Sequence, residues 1–245
     1  MVWAAANDSG ESDANAMAGL PELFPQLGEA WLVANVVEYT GDSDLSNATS
    51  SEFTLKGNKC GSTAEYCLSV DGWDVYAATY VDSGTSQYNT SRISFGSSWS
   101  APMVSGGVAL MAQAFPNHTP EQLVDRILAS ANNVWFTPEG NTTFTTHGNS
   151  IKHGYHSTWG HGVPDFYAAL SPITSNGNPA SMFLYTGNSI QSSKSSSLGA
   201  SYITPSASFG NAISQGLIGE IGYAYDDLNG GFKYDMSKTV NVVNY

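Results

Sequence analysis

Apolar residues along this chain fall in short dense runs separated by long polar stretches. Val2-Trp3-Ala4-Ala5-Ala6 stops at Asn7-Asp8-Ser9-Gly10, and Trp31-Leu32-Val33-Ala34-Asn35-Val36-Val37 follows after a polar interval. Cys67-Leu68-Ser69-Val70 and Val75-Tyr76-Ala77-Ala78 flank Asp71-Gly72. Runs of this length, bounded by Gly, Asn, Asp and Ser, predict strands. Between them, residues 8–29 read as a loop with a helical turn, 40–66 as a long excursion and 82–97 as a Ser/Thr/Asn-rich loop. The strongest helical stretch is Ala101 to Phe115, ended by Pro116. It is apolar nearly all round, which predicts a buried helix. A second helix is predicted from Pro120 to Ala131, with Thr119 as N-cap and Leu123, Ile127 and Leu128 as its apolar stripe. Strands alternating with helices predict an α/β domain with a mostly parallel sheet over residues 1–173. Residues 174–245 turn to Gly, Ser, Asn and Tyr with alternating segments such as Phe232–Met236, predicting a β-rich extension whose Ser192–Ser201 part reads as a linker.

Composition narrows the function classes. With 21 acidic and 8 basic residues the net charge is −13, which excludes nucleic-acid binding and an electrostatic grip on anionic lipid. No run of about 20 apolar residues predicts a membrane span. Only 12% of residues are charged; Asn, Ser, Thr and Gly supply most of the polarity, as in secreted proteins. The spacing of Cys60 and Cys67 allows a small disulfide loop or two reduced core thiols, and no second Cys or His pair makes a zinc site with them.

Phe95-Gly96-Ser97-Ser98-Trp99-Ser100-Ala101-Pro102-Met103-Val104-Ser105-Gly106 delivers a serine to the start of the apolar helix. There the macrodipole and free N–H groups favour developing negative charge, although local physics alone allows Ser98 to be only an N-cap. The segment resembles the Gly-Thr-Ser-Met-Ala-x-Pro signature of subtilisin-like serine proteases, with Ser97 for Thr, Trp99 for Met and Ser100 for Ala. The resemblance implies that Ser98 is the catalytic nucleophile. Val2-Trp3-Ala4-Ala5-Ala6-Asn7 resembles that family's Val-x-Ala-Ala-Gly-Asn turn, with Ala6 in place of Gly. It implies Asn7 as oxyanion donor and Ala4, Ala5 and Ala6 as the wall of the specificity pocket. Asn7 taken alone reads as an ordinary turn residue. Cys67–Tyr76 resembles the family's Ala-Pro-Gly strand with Asp71 for Pro. Trp159-Gly160-His161-Gly162-Val163-Pro164-Asp165 resembles the turn into its last helix. The implied fold is a three-layer subtilisin-like sandwich. The surroundings of Cys60 and Cys67 resemble the subtilases of bacterial autotransporters, which implies a Cys60–Cys67 disulfide and a secreted or cell-surface setting.

A serine nucleophile needs a base and an orienting carboxylate, and in subtilisins both precede it. All five histidines, His118, His147, His153, His156 and His161, follow Ser98. The expectation is therefore an N-terminally truncated domain whose missing N-terminal part is its partner, acting on protein or peptide substrates. The rival from another class is a non-catalytic adhesion module on the same scaffold. An α/β-hydrolase would need Gly-x-Ser-x-Gly, and Ser100 stands where its second Gly belongs. No cofactor or metal is required by this chemistry. Subtilases often bind calcium, and Asp227-Leu228-Asn229-Gly230 has part of a calcium-loop pattern, but the sequence places no site.

Overall fold

The structure, a computed structural model, describes residues 1–81, 87–92, 95–146, 149–185, 194–198 and 207–240. It divides into two compact units, residues 1–142 with 152–169, and residues 143–151 with 170–245. The boundary near residue 170 lies close to the change of composition after Pro172. The tip of a hairpin at 143–151, which the composition does not mark, groups with the second unit.

In the first unit, strand β1 (Val2–Ala4) pairs parallel with β2 (Leu32–Tyr39), and β2 pairs parallel with β4 (Cys67–Asp71) and antiparallel with β3 (Phe53–Leu55). β3 lies inside the predicted excursion, too short and too polar to read as a strand. Residues 32–37 of β2 are all buried, which is why they read as an apolar run interrupted only by Asn35 instead of alternating. One face of the strand meets helix α2 (Ser97–Ala114). On the other, Val33 joins Ala5, Trp31, Cys60 and Cys67 in a core cluster. Val37 joins Phe53 and Trp135, whose rings stack at 3.8 Å. Short helix α1 (Leu20–Leu23) lies in the predicted loop between β1 and β2. Strand β5 (Tyr76–Val81) overlaps the predicted Val75–Ala78 run and forms a hairpin with β6 (Gln87–Arg92), which lies in the segment that reads as loop by composition.

Helix α2 departs from expectation in its exposure. Its inner side buries Val104, Gly107 and Met111, whereas Met103 and Leu110 are 41% and 56% exposed. Apolarity all round predicts burial all round, yet this helix is covered on one side only. Helix α3 (Pro120–Ala129) carries a reciprocal capping box between Thr119 and Gln122. Its fully buried Arg126 lays its guanidinium 4.4 Å from the centre of the Phe115 ring and donates through Nε to the Ala169 carbonyl. Strands β7 (Gly140–Thr146) and β8 (Asn149–Tyr155) form a hairpin, and α4 (Phe166–Leu170) follows the Gly160–Gly162 turn. Both glycines have positive φ, and a Cβ on either would collide with the carbonyl of Cys67 or Asn132.

The second unit holds an antiparallel sheet in the order β10 (Lys194–Ser197), β9 (Phe183–Tyr185), β11 (Ile221–Tyr225), β12 (Gly231–Asp235), with helix α5 (Ala207–Gly216). β10 occupies part of the stretch read as a linker; residues 191–193 and 199–200 of that stretch lie outside the described residues. Met182, Leu198 and Ala224 form its core.

Two adjacent glycines of α2 separate packing from propensity. A Cβ at Gly107 would overlap the Phe166 ring, whereas a Cβ at Gly106 meets nothing within 4 Å. Gly107→Ala is expected to destabilise by about 2 kcal/mol or more through overpacking. Gly106→Ala is expected to stabilise by up to about 1 kcal/mol through helix propensity. Denaturant unfolding of the two variants checks both.

Candidate active site

The end of β1 meets the start of α2. Ala5 N–H donates to the Ala34 carbonyl, and the chain then turns sharply at Ala6, whose φ is +109°. That conformation is open to Gly and strained for any residue with a Cβ. Ala6 stands where the resemblance puts Gly, so the substitution has a backbone cost. The turn is held from two sides. Asn58 N–H donates to the Ala6 carbonyl at 3.2 Å, and Asn58 Oδ1 accepts from Asp8 N–H at 2.9 Å. From the other side, Ala6 N–H donates to Ser97 Oγ at 3.2 Å, and Asn7 Oδ1 accepts from Ser97 N–H at 2.7 Å and Ser97 Oγ at 2.9 Å. Gly57 has no Cβ to strike the Ala6 carbonyl, which permits this approach.

Ser98 is the second residue of α2 and is exposed. Among the described residues, no hydrogen bond engages Ser98 Oγ, Ser98 N–H or Asn7 Nδ2. Thus a hydroxyl and two unpaired N–H donors stand at one helix N-terminus, where the macrodipole favours an anion. Gly96 separates them: a Cβ there would lie 3.5 Å from both Asn7 Nδ2 and Trp99 Cδ1. Ser100, the third departure, is buried against Gly72, at the end of β4. Phe95 stacks on Trp73 at 4.6 Å, with Lys56 Nζ 4.0 Å from the Trp73 ring centre and paired to Glu38 at 2.8 Å.

Of the three alanines expected along a pocket wall, Ala5 is fully buried in the core; Ala4 and Ala6 keep exposed surface. Period-two alternation sends Ala5 to the opposite side. Cys60 and Cys67 form a disulfide with a Cα–Cα distance of 5.9 Å.

No described histidine is hydrogen-bonded to Ser98 or Asn7. His147 is outside the described residues. His156 pairs with Glu139 at 3.3 Å. His153 Nδ1 and His161 Nδ1 are 2.8 Å apart, and His161 Nε2 donates to the Glu65 carbonyl at 3.0 Å, which leaves His161 Nδ1 as acceptor. Burial, then the neighbouring His153, drives the His161 pKa down to about 3; burial lowers that of His153 too. The Asp226 carboxylate accepts N–H groups from Leu228, Gly230 and Ile173. Among the described residues no three His, Cys, Asp or Glu side chains converge to hold a metal.

The model of the Subtilase family matches residues 1–162, most of the chain, including the β1 turn and the start of α2. The chain belongs to the subtilase family. It is 28% identical over 149 residues to an extracellular serine protease of Serratia marcescens, covering 55% of this chain and 13% of that protein. Among solved structures it is similar to fervidolysin from Fervidobacterium pennivorans, a keratinolytic enzyme related to subtilisin (19% identity, TM-score 0.44, covering 76% of this chain and 23% of that one). It is also similar to the prenylagaramide maturation protease PagA (20% identity, TM-score 0.44, covering 69% and 48%). The chain thus spans less than half the length of each of these relatives. The parallel sheet with α2 against it is the subtilase α/β fold.

Ser97 and Asn58 are given no role by the sequence. Ser97 is legible only as a mild Thr replacement, and nothing in the local sequence links Asn58 to a turn fifty residues earlier.

Two stability measurements test this local chemistry. Ala6→Gly removes the strain at φ +109° and adds glycine's entropy in the unfolded chain; the net expected gain is about 1 kcal/mol, read as a rise in Tm. Burial, then the Glu121 charge, pushes Asp125 up to about 6. Its folded pKa lies above its unfolded value, so its contribution is present at low pH and lost as pH rises through about 6. Asp125→Asn is therefore expected to stabilise at pH 8 and to match the parent at acid pH. The buried histidines run the other way: their folded pKa values lie below the unfolded one, so stability falls as pH drops below about 6.5. In Asp125→Asn that acid-side fall should steepen, because the opposing carboxyl is gone.

Proposed function

We propose that this subtilase chain carries the nucleophile side of a serine endopeptidase active site and acts on protein or peptide substrates. The observation that carries this reading is the start of α2, where Ser98 Oγ, Ser98 N–H and the Asn7 amide N–H are all unengaged. In this scheme Ser98 Oγ attacks the scissile carbonyl carbon while a base takes its proton. Ser98 N–H and Asn7 Nδ2 hold the oxyanion; the C–N bond then breaks and the leaving amine takes the proton. Water hydrolyses the acyl-enzyme by the reverse sequence. In subtilisin, losing such an Asn donor costs about 10² to 10³ in turnover, and a loss of the same order is expected for Asn7.

No described histidine or carboxylate bonds to Ser98 Oγ; in this reading the base and its carboxylate are supplied by an N-terminal part of the same domain, as the resemblance implies. The half-exposed apolar helix supports this. Ser98, Pro102, Ser105, Ala109 and Ala112 share one outward stripe, with Met103 and Leu110 beside it. Secretion or display at a bacterial surface fits the Cys60–Cys67 disulfide and the extracellular relative. The likeness to autotransporter subtilases belongs to the same reading. Among the described residues no helix is long and apolar enough to cross a membrane.

A fluorophosphonate probe tests the proposal. The 245-residue chain alone is expected to stay unlabelled. Joined to polypeptide carrying the base and carboxylate, it should label, and Ser98→Ala should abolish the signal. Labelling of the chain alone that vanishes in Ser98→Ala would place the base within residues 1–245. Persistent silence of the joined protein would leave a non-catalytic binding module.

A further inference from the structure

The hydroxyl of Ser97 belongs to a residue only 1% exposed and sits between two backbone-linked partners. It accepts the Ala6 N–H at 3.2 Å and faces Asn7 Oδ1 at 2.9 Å. Asn7 Oδ1 has no proton to give, so the hydroxyl donates its single proton to that oxygen. The same oxygen takes the Ser97 N–H at 2.7 Å. The Ser97 proton is thus committed within the protein and is not available to a substrate oxyanion. A flip of the amide would set its NH₂ against the Ser97 N–H and forfeit that hydrogen bond, while the hydroxyl adds a second bond to the same oxygen that restrains the side chain. Which edge of the Asn7 amide faces outward is thereby decided by a neighbour and not by Asn7 itself.

We propose that Ser97 is a positioning residue: it clamps Asn7 Oδ1, so that Nδ2 presents its N–H groups beside Ser98, and pins the strained Ala6 turn on which Asn7 rides. The proposal rests on the oxyanion role given to Asn7 above, but its geometry is testable without turnover. A serine here has a particular demand to meet. Ala6 holds a φ of +109° without the freedom of Gly, and the Ser97 hydroxyl makes one of the two hydrogen bonds to Ala6, the other being Asn58 N–H on its carbonyl.

The first readout is side-chain amide relaxation by NMR in the folded, isotope-labelled 245-residue chain. The Asn7 Nδ2 order parameter is expected to approach that of rigid backbone. It should drop in Ser97→Ala and return in Ser97→Thr, which restores the hydroxyl. A purely structural role would lower Tm without selectively freeing this amide. An Asn7 amide equally rigid in a folded Ser97→Ala would overturn the proposal, whatever the protease activity. Should Ser97→Ala fail to fold, Ser97→Cys keeps the shape with a weak donor and is read the same way. The second readout uses the protein joined to its base. Ser97→Ala is expected to lower kcat about 10- to 100-fold at nearly constant KM, with recovery in Ser97→Thr. A freed amide with full kcat would support the clamp and refute Asn7 as the oxyanion donor, so the two ideas fail separately.

Discussion

The first unit depends on one strand, β2. It is the strand that pairs on both edges, with β1 and β3 along one and β4 along the other, and residues 32–37 are buried on both faces. A strand so placed leaves no backbone group to water and fixes the register of everything beside it. β1 is only three residues long and has little pairing energy of its own. Its position, and so the direction in which Asn7 leaves it, is set by Leu32, Val33 and Ala34 across the ladder.

From that frame the candidate active site is assembled by convergence of loops. β4 leads into Gly72, whose carbonyl accepts the Gly96 N–H and whose missing Cβ leaves room for Ser100. β1 leads into Ala6 and Asn7, bonded to Ser97. Two parallel strands therefore aim their C-terminal ends at the N-terminus of one helix. This arrangement is one that parallel α/β sheets use to gather chemistry where unpaired N–H groups are available. The strain at Ala6 is tolerated because hydrogen bonds from both Asn58 and Ser97 over-determine that turn.

Helix α2 joins the fold's stability to its function. Its inner side is fixed by Val104, Gly107 and Met111, with Phe166 pressed close over Gly107. Its outer side is apolar and unprotected, and Ser98 begins that side. Exposed apolar surface of this kind is a docking face or a liability. Under the proposed function it is the seat of the polypeptide that supplies the base. On the opposite face of β2, the Cys60–Cys67 disulfide packs with Val33 and Trp31 in the core.

Local sequence determined the elements whose code is local. Dense apolar runs marked β1, β2 and β4. Thr119, Pro120 and Gln122 marked the start of α3, and the Phe95–Gly106 motif marked the start of α2. The seven-residue spacing of the cysteines was compatible with the bond they form. Tertiary structure decided what depends on distant partners. β3, β6, the β7–β8 hairpin and β10 are segments recruited by neighbouring strands, so no local pattern announces them. The one-sided covering of α2 was invisible because an apolar helix looks the same whether or not its second side has a partner. Ala5 turned into the core because the pleat alternates, although the motif sets it beside Ala4 and Ala6. Above all, the orientation of the Asn7 amide belongs to neither Asn7 nor its motif. It is fixed by a serine ninety residues away, because an amide is nearly symmetric in shape and only the donors around it distinguish its oxygen from its nitrogen.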